Sequence, residues 1–268
     1  MTGNWFCLLK KNKMIAFVYD KTLDGLLTAV FDAYFRKTFP DSLVAEGEPL
    51  PMFCDEAVTV ITDKEKAGRV WKGLKKKLSY TALSCLTACW LSELPEIDML
   101  MFRYIKKTFD APASIELNFG DADVLEVSKI YKKVMQERER VLQFLRFQKA
   151  TDGTYFAAIE PMYNVLSLVV SHFQDRFADQ KWLIYDLKRE YGYYYDLTTV
   201  TEVRFEEKES HLLTGILSED LMMHDEKLFQ QMWKEYFKSI TIKERINPKL
   251  HKQHLPVRFW KYLTEKQK

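Results

Sequence analysis

The pattern of hydrophobic and polar residues is most informative between Leu142 and Leu197. Apolar and polar residues alternate from Gln143 to Lys149, and a second apolar run covers Tyr155–Ile159. Asp152-Gly153 separates the two runs, and an Asp-Gly pair in that position is a strong hairpin signal. We therefore predict two antiparallel strands joined by a short turn.

A helical pattern follows this hairpin. From Met162 to Phe177, apolar residues recur at the three- and four-residue spacing of a helix that is buried along one face. Pro161 is compatible with the first turn, where its missing N–H is not needed. We predict a helix that begins at Glu160-Pro161.

A second hairpin is predicted after this helix. Two aromatic-rich runs, Trp182–Leu187 and Tyr193–Asp196, flank a short segment that ends in Gly192. We expect Gly192 to supply a positive φ in the turn, and a further strand between Val200 and Glu206. The order β-β-α-β-β-β predicts an α+β fold with a mainly antiparallel central sheet and helices packed on it.

The flanking sequence predicts additional helices and one strand–helix unit. We predict a single domain over residues 1–268, with a helical segment at about 62–140 and a basic C-terminal tail at 241–268. The individual predictions are a strand at Met14–Tyr19 and a helix from Leu23, a loop at 41–55, a strand at Ala57–Ile61, a long helix at Asp121–Arg140, a helix at Ser218–Ile240 and a short helix at Val257–Leu263.

Composition narrows the function classes only slightly. The chain has 268 residues, 47% hydrophobic and 29% charged, which is typical of a soluble globular protein. The formal net charge of +2 gives no global electrostatic case for nucleic acid, so any such case must come from local patches. Because the N-terminal residues lack a signal-peptide pattern and no apolar run is long enough to span a bilayer, we expect a cytoplasmic protein with no membrane contact.

No motif for a cofactor or a metal is recognised. A Walker loop, G-x-G-x-x-G, G-x-S-x-G and H-E-x-x-H are all missing from the sequence. Cys85 and Cys89 share one face of an apolar helix, but no second ligand pair at metal-binding spacing accompanies them. We therefore interpret them as buried reduced thiols and expect no metal and no cofactor.

Two regions combine aromatic and basic residues, as nucleic-acid-binding surfaces do. The predicted second hairpin could stack unpaired bases and hold phosphates, and so could the tail; the candidates are Arg176, Trp182, Arg189, Tyr193 and Tyr195 in the hairpin region and Arg245, Lys249, Lys252 and Arg258 in the tail. The alternative for the hairpin is that its aromatic residues fill the core. The lysine-rich helix at 64–77 is equally well explained as a solvated face.

An acid/base centre is a different possibility. His172, Asp175 and Asp186 are the candidate catalytic residues, and Asp175 shares a helix face with Asp179 if the helix continues. A charge network at a helix end would explain the same residues.

Four long segments of the chain resemble one bacterial family. They are FVYDKTLDGLLTAVFDAY, FQKATDGTYFAAIEPMYNVL, HFQDRFADQKWLIYDLKREYGYYYDL and MWKEYFKSITIKERINPKLHKQHLPVRFWKYL, in that order. Together they resemble the family described as probable DNA metabolism protein, a domain of unknown function.

This resemblance implies a role in DNA repair or modification without naming a reaction. Relatives carry a similar domain fused to a uracil-DNA-glycosylase-like domain, and family members are encoded beside a radical S-adenosylmethionine protein for DNA repair. The resulting hypothesis is a nucleic-acid-binding factor, for DNA rather than RNA, that acts with a radical S-adenosylmethionine or glycosylase-type partner. The alternatives are an enzyme of unknown reaction and a protein-interaction module.

Overall fold

The computed structural model describes residues 13–206, 214–218 and 220–266. The chain divides into two compact units, Met1–Lys132 and Lys133–Lys268. The division falls inside one helix, α5 (Ala122–Phe144). No linker rich in glycine or proline marks this division in the sequence, because a continuous helix crosses it.

The first unit contains a small parallel sheet and its helices. Three strands pair in the order β2-β1-β3, and both pairings are parallel. The strand β2 lies in the interval 41–55, for which we predicted a loop, because its four residues are too few to show an alternating pattern. The elements are β1 (Ile15–Tyr19), α1 (Leu23–Arg36), β2 (Ser42–Ala45), β3 (Glu56–Thr59), α2 (Lys64–Lys77), α3 (Tyr80–Leu91) and α4 (Ile97–Asp110), followed by the first part of α5.

Side-chain caps explain where the first three helices of this unit begin. The Thr22 hydroxyl accepts a hydrogen bond from the Gly25 N–H at 2.9 Å and starts α1. The Asp63 carboxylate accepts from two N–H groups of the first turn of α2, and the Ser79 hydroxyl caps α3 in the same way. These caps satisfy N–H groups that have no partner inside the helix, so the predicted helical segment is confirmed.

The second unit contains a five-stranded mixed sheet in the order β4-β5-β6-β7-β8. Its pairings are antiparallel except between β5 and β6, which are parallel. With two sheets and abundant helices, the α+β class is confirmed. The elements are β4 (Gln148–Lys149), β5 (Tyr155–Ile159), α6 (Val170–Arg176), β6 (Trp182–Asp186), β7 (Tyr191–Tyr195), β8 (Val200–Val203), α7 (Glu226–Ile240), α8 (Pro248–His254), and short 3₁₀ helices at Leu166–Leu168, Lys243–Arg245, Val257–Tyr262 and Thr264–Lys266.

The helix predicted from Glu160-Pro161 is much shorter than the pattern indicated. The first helical turn is the 3₁₀ helix at Leu166–Leu168, and α6 begins only at Val170. Side chains hold the backbone before it: the Met162 N–H donates to Glu137 and the Met162 carbonyl accepts from Arg189. Because other elements use these backbone groups, the segment does not close into a helix despite its helical spacing.

The helix predicted for Ser218–Ile240 also begins late, at Glu226. Residues just before it extend the first hairpin instead. The Thr151 N–H donates to the Leu221 carbonyl, and the Met223 N–H donates to the Lys149 carbonyl. This edge pairing, which sequence spacing does not reveal, removes residues 221–223 from the helix.

Gly192 has a different role from the one we predicted. The positive φ in the β6–β7 turn belongs to Glu190, at 58°, and Gly192 lies within β7 opposite Tyr185. A Cβ at Gly192 would lie 2.5 Å from the Ile184 carbonyl oxygen, which is backbone and cannot rotate away. Glycine is therefore required here for close approach of two strands rather than for its conformational freedom.

We expect alanine at position 192 to destabilise the second unit. Gly192→Ala should lower the free energy of unfolding by about 1–3 kcal/mol, the usual cost of overpacking a buried site. Gly68→Ala is the matched control, because Gly68 lies in α2 with open space around it. The control should raise the stability by about 1 kcal/mol through helix propensity. Urea unfolding followed by circular dichroism measures both, and a Gly192→Ala variant as stable as the wild type would contradict the packing argument.

Candidate functional site

Two buried carboxylates organise the polar interior of the second unit. The first is Glu137 on α5, which is 1% exposed. One of its oxygens accepts a hydrogen bond from the Met162 N–H at 2.8 Å. The other accepts from the Arg258 guanidinium and lies 3.4 Å from Arg140. A buried charge is stable only when it is paired and hydrogen-bonded in this way.

The second buried carboxylate is Asp186, at the end of β6. It is 0% exposed and pairs with the Arg189 guanidinium at 2.8 Å. Its other oxygen accepts from the N–H groups of Lys188 and Arg189, so the carboxylate also builds the β6–β7 turn. Burial raises the pKa of Asp186, and the guanidinium and the two N–H groups oppose that shift.

The two ion pairs meet on one stretch of backbone. Arg189 also donates to the carbonyls of Pro161 and Met162, while Glu137 holds the Met162 N–H. This stretch follows directly after β5, at the carboxyl ends of the parallel pair β5–β6, where open α/β sheets often bind ligands. Here the hydrogen bonds of Glu137 and Asp186 are made to protein groups, so we interpret the cluster as a clamp that holds the segment after β5.

Three residues from the sequence analysis therefore have structural roles. Asp186 pairs with Arg189 and Arg258 pairs with Glu137, and each pair also holds a backbone group of Met162. Arg258 and Arg189 direct their guanidinium groups at buried carboxylates, so neither charge is available as a plain phosphate contact. The sequence separation of Glu137 and Arg258 explains why spacing could not reveal the pairing.

The aromatic hairpin is mostly core. Trp182 is fully buried and packs against Phe173 and Tyr195, at ring-centroid distances of 6.5 and 5.4 Å. Tyr195 is buried, and its hydroxyl donates to the carbonyls of Ala178 and Leu197. Tyr193 is half-buried and meets the Tyr191 ring edge-on at 5.8 Å. Strands point alternate residues to opposite faces, and the aromatic residues of β6 and β7 are buried or half-buried on both, so packing explains their spacing.

The proposed acid/base residues are not assembled. His172, Asp175 and Arg176 lie on α6 and are exposed, as is Asp179 beyond it. No hydrogen bond or ion pair in the described ranges joins Asp186 to His172 or Asp175. Nor does any group of three or more His, Cys, Asp or Glu side chains in those ranges have the geometry of a metal site.

The cysteines are packed thiols. Cys89 is buried and Cys85 half-buried, and both are free. Burial raises the pKa of Cys85 and raises that of Cys89 to about 12. Thiols that stay protonated are poor nucleophiles, so neither residue has the features of a reactive cysteine.

The basic tail is part of the second unit, and several of its cations are exposed. Phe259, Tyr262 and Leu263 are buried and anchor it. The helix α8 begins at Pro248 because the Asn247 side chain accepts from the Leu250 N–H at 3.0 Å. Lys249 and Lys252 therefore lie three residues apart on an exposed helix, and Arg245 ends the separate 3₁₀ helix that precedes it.

Arg176, Arg245, Lys249 and Lys252 remain candidates for phosphate contacts, and the last three lie close together in the sequence. Arg245, Lys249 and Lys252 are exposed, and none forms an ion pair with another residue that the structure describes. Trp260 next to them is half-buried between His251, at 5.8 Å, and Lys266, at 5.3 Å from the ring centroid. Burial and the nearby Lys266 charge lower the pKa of His251, which leaves it mostly neutral at pH 7.

The exposed apolar side of α7 was missed at the sequence level. Trp233 is attached through its indole N–H to Glu265 at 2.9 Å, and Lys266 lies over the Phe237 ring. The rest of the helical stripe faces solvent, and its members are Phe229, Met232, Tyr236 and Ile240. The spacing predicted an amphipathic helix correctly, but sequence cannot tell whether the apolar side is covered.

Comparison with known proteins places the chain in a family. The family model described as Domain of unknown function (DUF4130) matches residues 95–265, well over half of the chain. The protein belongs to this family. The matched region begins just before α4 and contains the whole sheet of the second unit.

The other comparisons add little. No curated protein matches the chain. Among solved structures, a pGpG-specific phosphodiesterase, PggH from Vibrio cholerae, is 11% identical over 85% of this chain and 100% of its own, with a TM-score of 0.30. A likeness at that TM-score supports no argument about fold or function. Within the described ranges, no helix combines the length and the hydropathy that crossing a bilayer would require.

Removing Arg258 should destabilise the second unit. Arg258→Ala leaves Glu137 buried with only the more distant Arg140 as a charged partner, and breaking a buried pair costs about 3–5 kcal/mol. We expect the lower end of that range because Arg140 remains. Lys252→Ala, an exposed cation nearby, should change the free energy of unfolding by less than about 0.5 kcal/mol. Equal effects of the two variants in urea unfolding would contradict the clamp.

Proposed function

We propose that this protein binds nucleic acid as a cytoplasmic factor of DNA metabolism or repair. The observation that carries the proposal is the trio Arg245, Lys249 and Lys252 of the C-terminal segment, which are exposed and form no ion pair with another residue that the structure describes. Lysine and arginine side chains that are not neutralised by the protein can replace the counterions of a phosphate backbone. The resemblance to probable DNA metabolism proteins supports DNA rather than RNA as the ligand.

The trio suits backbone contacts better than base stacking. Tyr262 is buried and Trp260 is flanked on the protein by His251 and Lys266, so neither offers an open ring. Contacts to phosphates fix position on a strand but carry no sequence information. The expected binding mode is therefore electrostatic, independent of sequence and strongly dependent on salt.

An enzyme with an acid/base centre is less well supported. Asp186 is fully paired inside the clamp, whereas His172 and Asp175 are exposed on α6. The chemistry in this pathway would then come from a partner, and the resemblance points to a radical S-adenosylmethionine or glycosylase-type protein.

The first test measures binding to double- and single-stranded DNA by fluorescence anisotropy across a series of salt concentrations. The variant Arg245→Ala/Lys249→Ala/Lys252→Ala should bind at least about tenfold more weakly at low salt. The slope of log K against log[salt] should fall by about 0.9 per lost phosphate contact on duplex DNA. Arg258 is left unchanged because its loss would destabilise the fold.

The matched control removes the same charge elsewhere. Lys129→Ala/Lys132→Ala/Lys133→Ala takes three exposed cations from α5 and should retain the affinity and the salt slope of the wild type. Equal losses in the two triple variants would show that net charge alone is responsible, and the trio would then not be a specific site.

A protein-interaction role is the second candidate, and the uncovered stripe of α7 favours it. Exposed aromatic and aliphatic groups in one row are typical of interaction surfaces. In this proposal the stripe docks the radical S-adenosylmethionine partner, so that one face of the C-terminal region binds nucleic acid and α7 binds protein.

We expect Phe229→Ser/Tyr236→Ser to abolish co-purification with that purified partner while DNA binding stays unchanged. Gln231→Ser/Glu235→Ser changes the opposite side of the same helix and should leave the complex intact. A complex that survives the stripe variant would rule out α7 as the docking surface.

A further inference from the structure

An open groove in the first unit has the chemistry of a stacking site. It encloses about 490 Å³ between α1, α2 and the end of α4, and aromatic rings line most of it. The rings are those of Phe31, Tyr34 and Phe35 from α1 and Phe109 from α4. This region lies largely outside the matched family region, which begins at residue 95.

The rings are held in fixed orientations. Phe31 and Phe35 lie one helical turn apart and stack at 6.4 Å with an interplanar angle of 14°. Tyr34 meets Phe109 edge-on at 6.0 Å, and its hydroxyl donates to Asp110 at 2.6 Å. Phe35 nevertheless remains 78% exposed. An oriented ring with an uncovered face is a ready stacking platform.

A glycine keeps the wall of the groove in place. A Cβ on Gly73 of α2 would lie 2.9 Å from Cε1 of Phe109. The close approach of α2 to the Phe109 ring therefore depends on the missing side chain. Gly73 also leaves space beside Arg69, one turn earlier on the same side of α2.

The rim of the groove carries positive charge that the protein does not neutralise. The Arg69 guanidinium lies 5.0 Å from the Phe31 centroid, and Arg69 forms no ion pair within the described ranges. Lys66 also approaches this ring, but it is paired with Asp32 at 2.8 Å. Lys76, two turns after Arg69 on the same side of α2, is exposed.

We propose that this groove takes one unpaired nucleotide of a single-stranded nucleic acid. Its base stacks on Phe35, and its phosphate lies between Arg69 and Lys76. Aromatic stacking with adjacent cations is how proteins hold single strands without reading sequence, and an open-ended groove lets a strand enter and leave. The inference rests on the proposed function for the identity of the ligand, but it concerns a different surface and supplies the stacking that the C-terminal trio lacks.

The test uses the full chain and a short single-stranded oligodeoxynucleotide that carries 2-aminopurine, whose fluorescence is quenched when it stacks. Phe35→Leu keeps an apolar side chain but removes the ring, so we expect about a tenfold loss of affinity and loss of the quenching. The matched control is Phe53→Leu, because Phe53 is 79% exposed in the same unit but lies outside the groove. Wild-type quenching in Phe35→Leu would overturn the proposal.

The charge contribution is tested on the same helix. Arg69→Ala and Lys76→Ala should each weaken oligonucleotide binding several-fold and reduce its salt dependence. Lys75→Ala removes an exposed cation that points about 100° away from Lys76 around α2 and should bind as the wild type does. Equal effects of Lys75→Ala and Lys76→Ala would overturn the assignment of the phosphate to the groove.

Two further measurements, with duplex DNA and with a mononucleotide, test whether the groove binds a base of a single strand. Duplex DNA keeps its bases stacked internally, so its affinity should not change in Phe35→Leu. Deoxyadenosine monophosphate should compete only weakly with the oligonucleotide. If the mononucleotide competes with an affinity equal to that of the oligonucleotide, the groove would be a site for small molecules, and the proposal that it binds a single strand would be wrong.

The outcomes separate this inference from the proposed function. If the C-terminal triple variant loses binding while Phe35→Leu keeps wild-type affinity and quenching, the groove proposal is wrong and the proposed function stands. If Phe35→Leu no longer binds the oligonucleotide and the triple variant still does, the proposal for the C-terminal trio is wrong and the groove proposal stands. A wild type that binds no DNA at low salt overturns both.

Discussion

The second unit depends on the burial of one carboxylate, that of Glu137. A charge taken out of water must be matched by partners close at hand. Glu137 finds them in Arg258, Arg140 and the Met162 N–H. One side chain on α5 thereby fixes both the segment after β5 and the start of the C-terminal 3₁₀ helix. The non-helical course of residues 160–165 follows from this constraint together with the Arg189 contacts.

The pairing of polar side chains inside the protein also explains why several candidate residues from the sequence have partners within the fold. The interior uses Asp186, Arg189 and Arg258 to satisfy one another and the backbone. What remains available for partners is what the fold leaves unpaired: cations on α8 and along α2, and apolar rings on α1 and α7.

Periodicity predicted local structure well where local forces decide it. The first helices follow their caps at Thr22, Asp63 and Ser79, and the first hairpin of the larger sheet follows its predicted Asp-Gly turn. It failed where distant groups decide. The spacing after Pro161 is helical, but Glu137 and Arg189 claim the backbone groups a helix would need. Trp182 and Tyr195 were predicted to form a stacking surface, because the sequence does not distinguish buried from exposed aromatic residues. The open faces of Phe35 and α7 were invisible for the same reason.

The pairing of Glu137 with Arg258 also has a consequence for synthesis of the chain. The two residues are 121 positions apart, so a ribosome has long since released α5 and most of the sheet before the matching arginine exists. During that interval the carboxylate has only Arg140 and the Met162 N–H as partners among the described residues, and the core that Phe259 and Leu263 complete stays open. The second unit therefore cannot finish folding during translation of its own strands. Polypeptides interrupted before Arg258 would present an open hydrophobic core, which makes them ready substrates for chaperones and proteases.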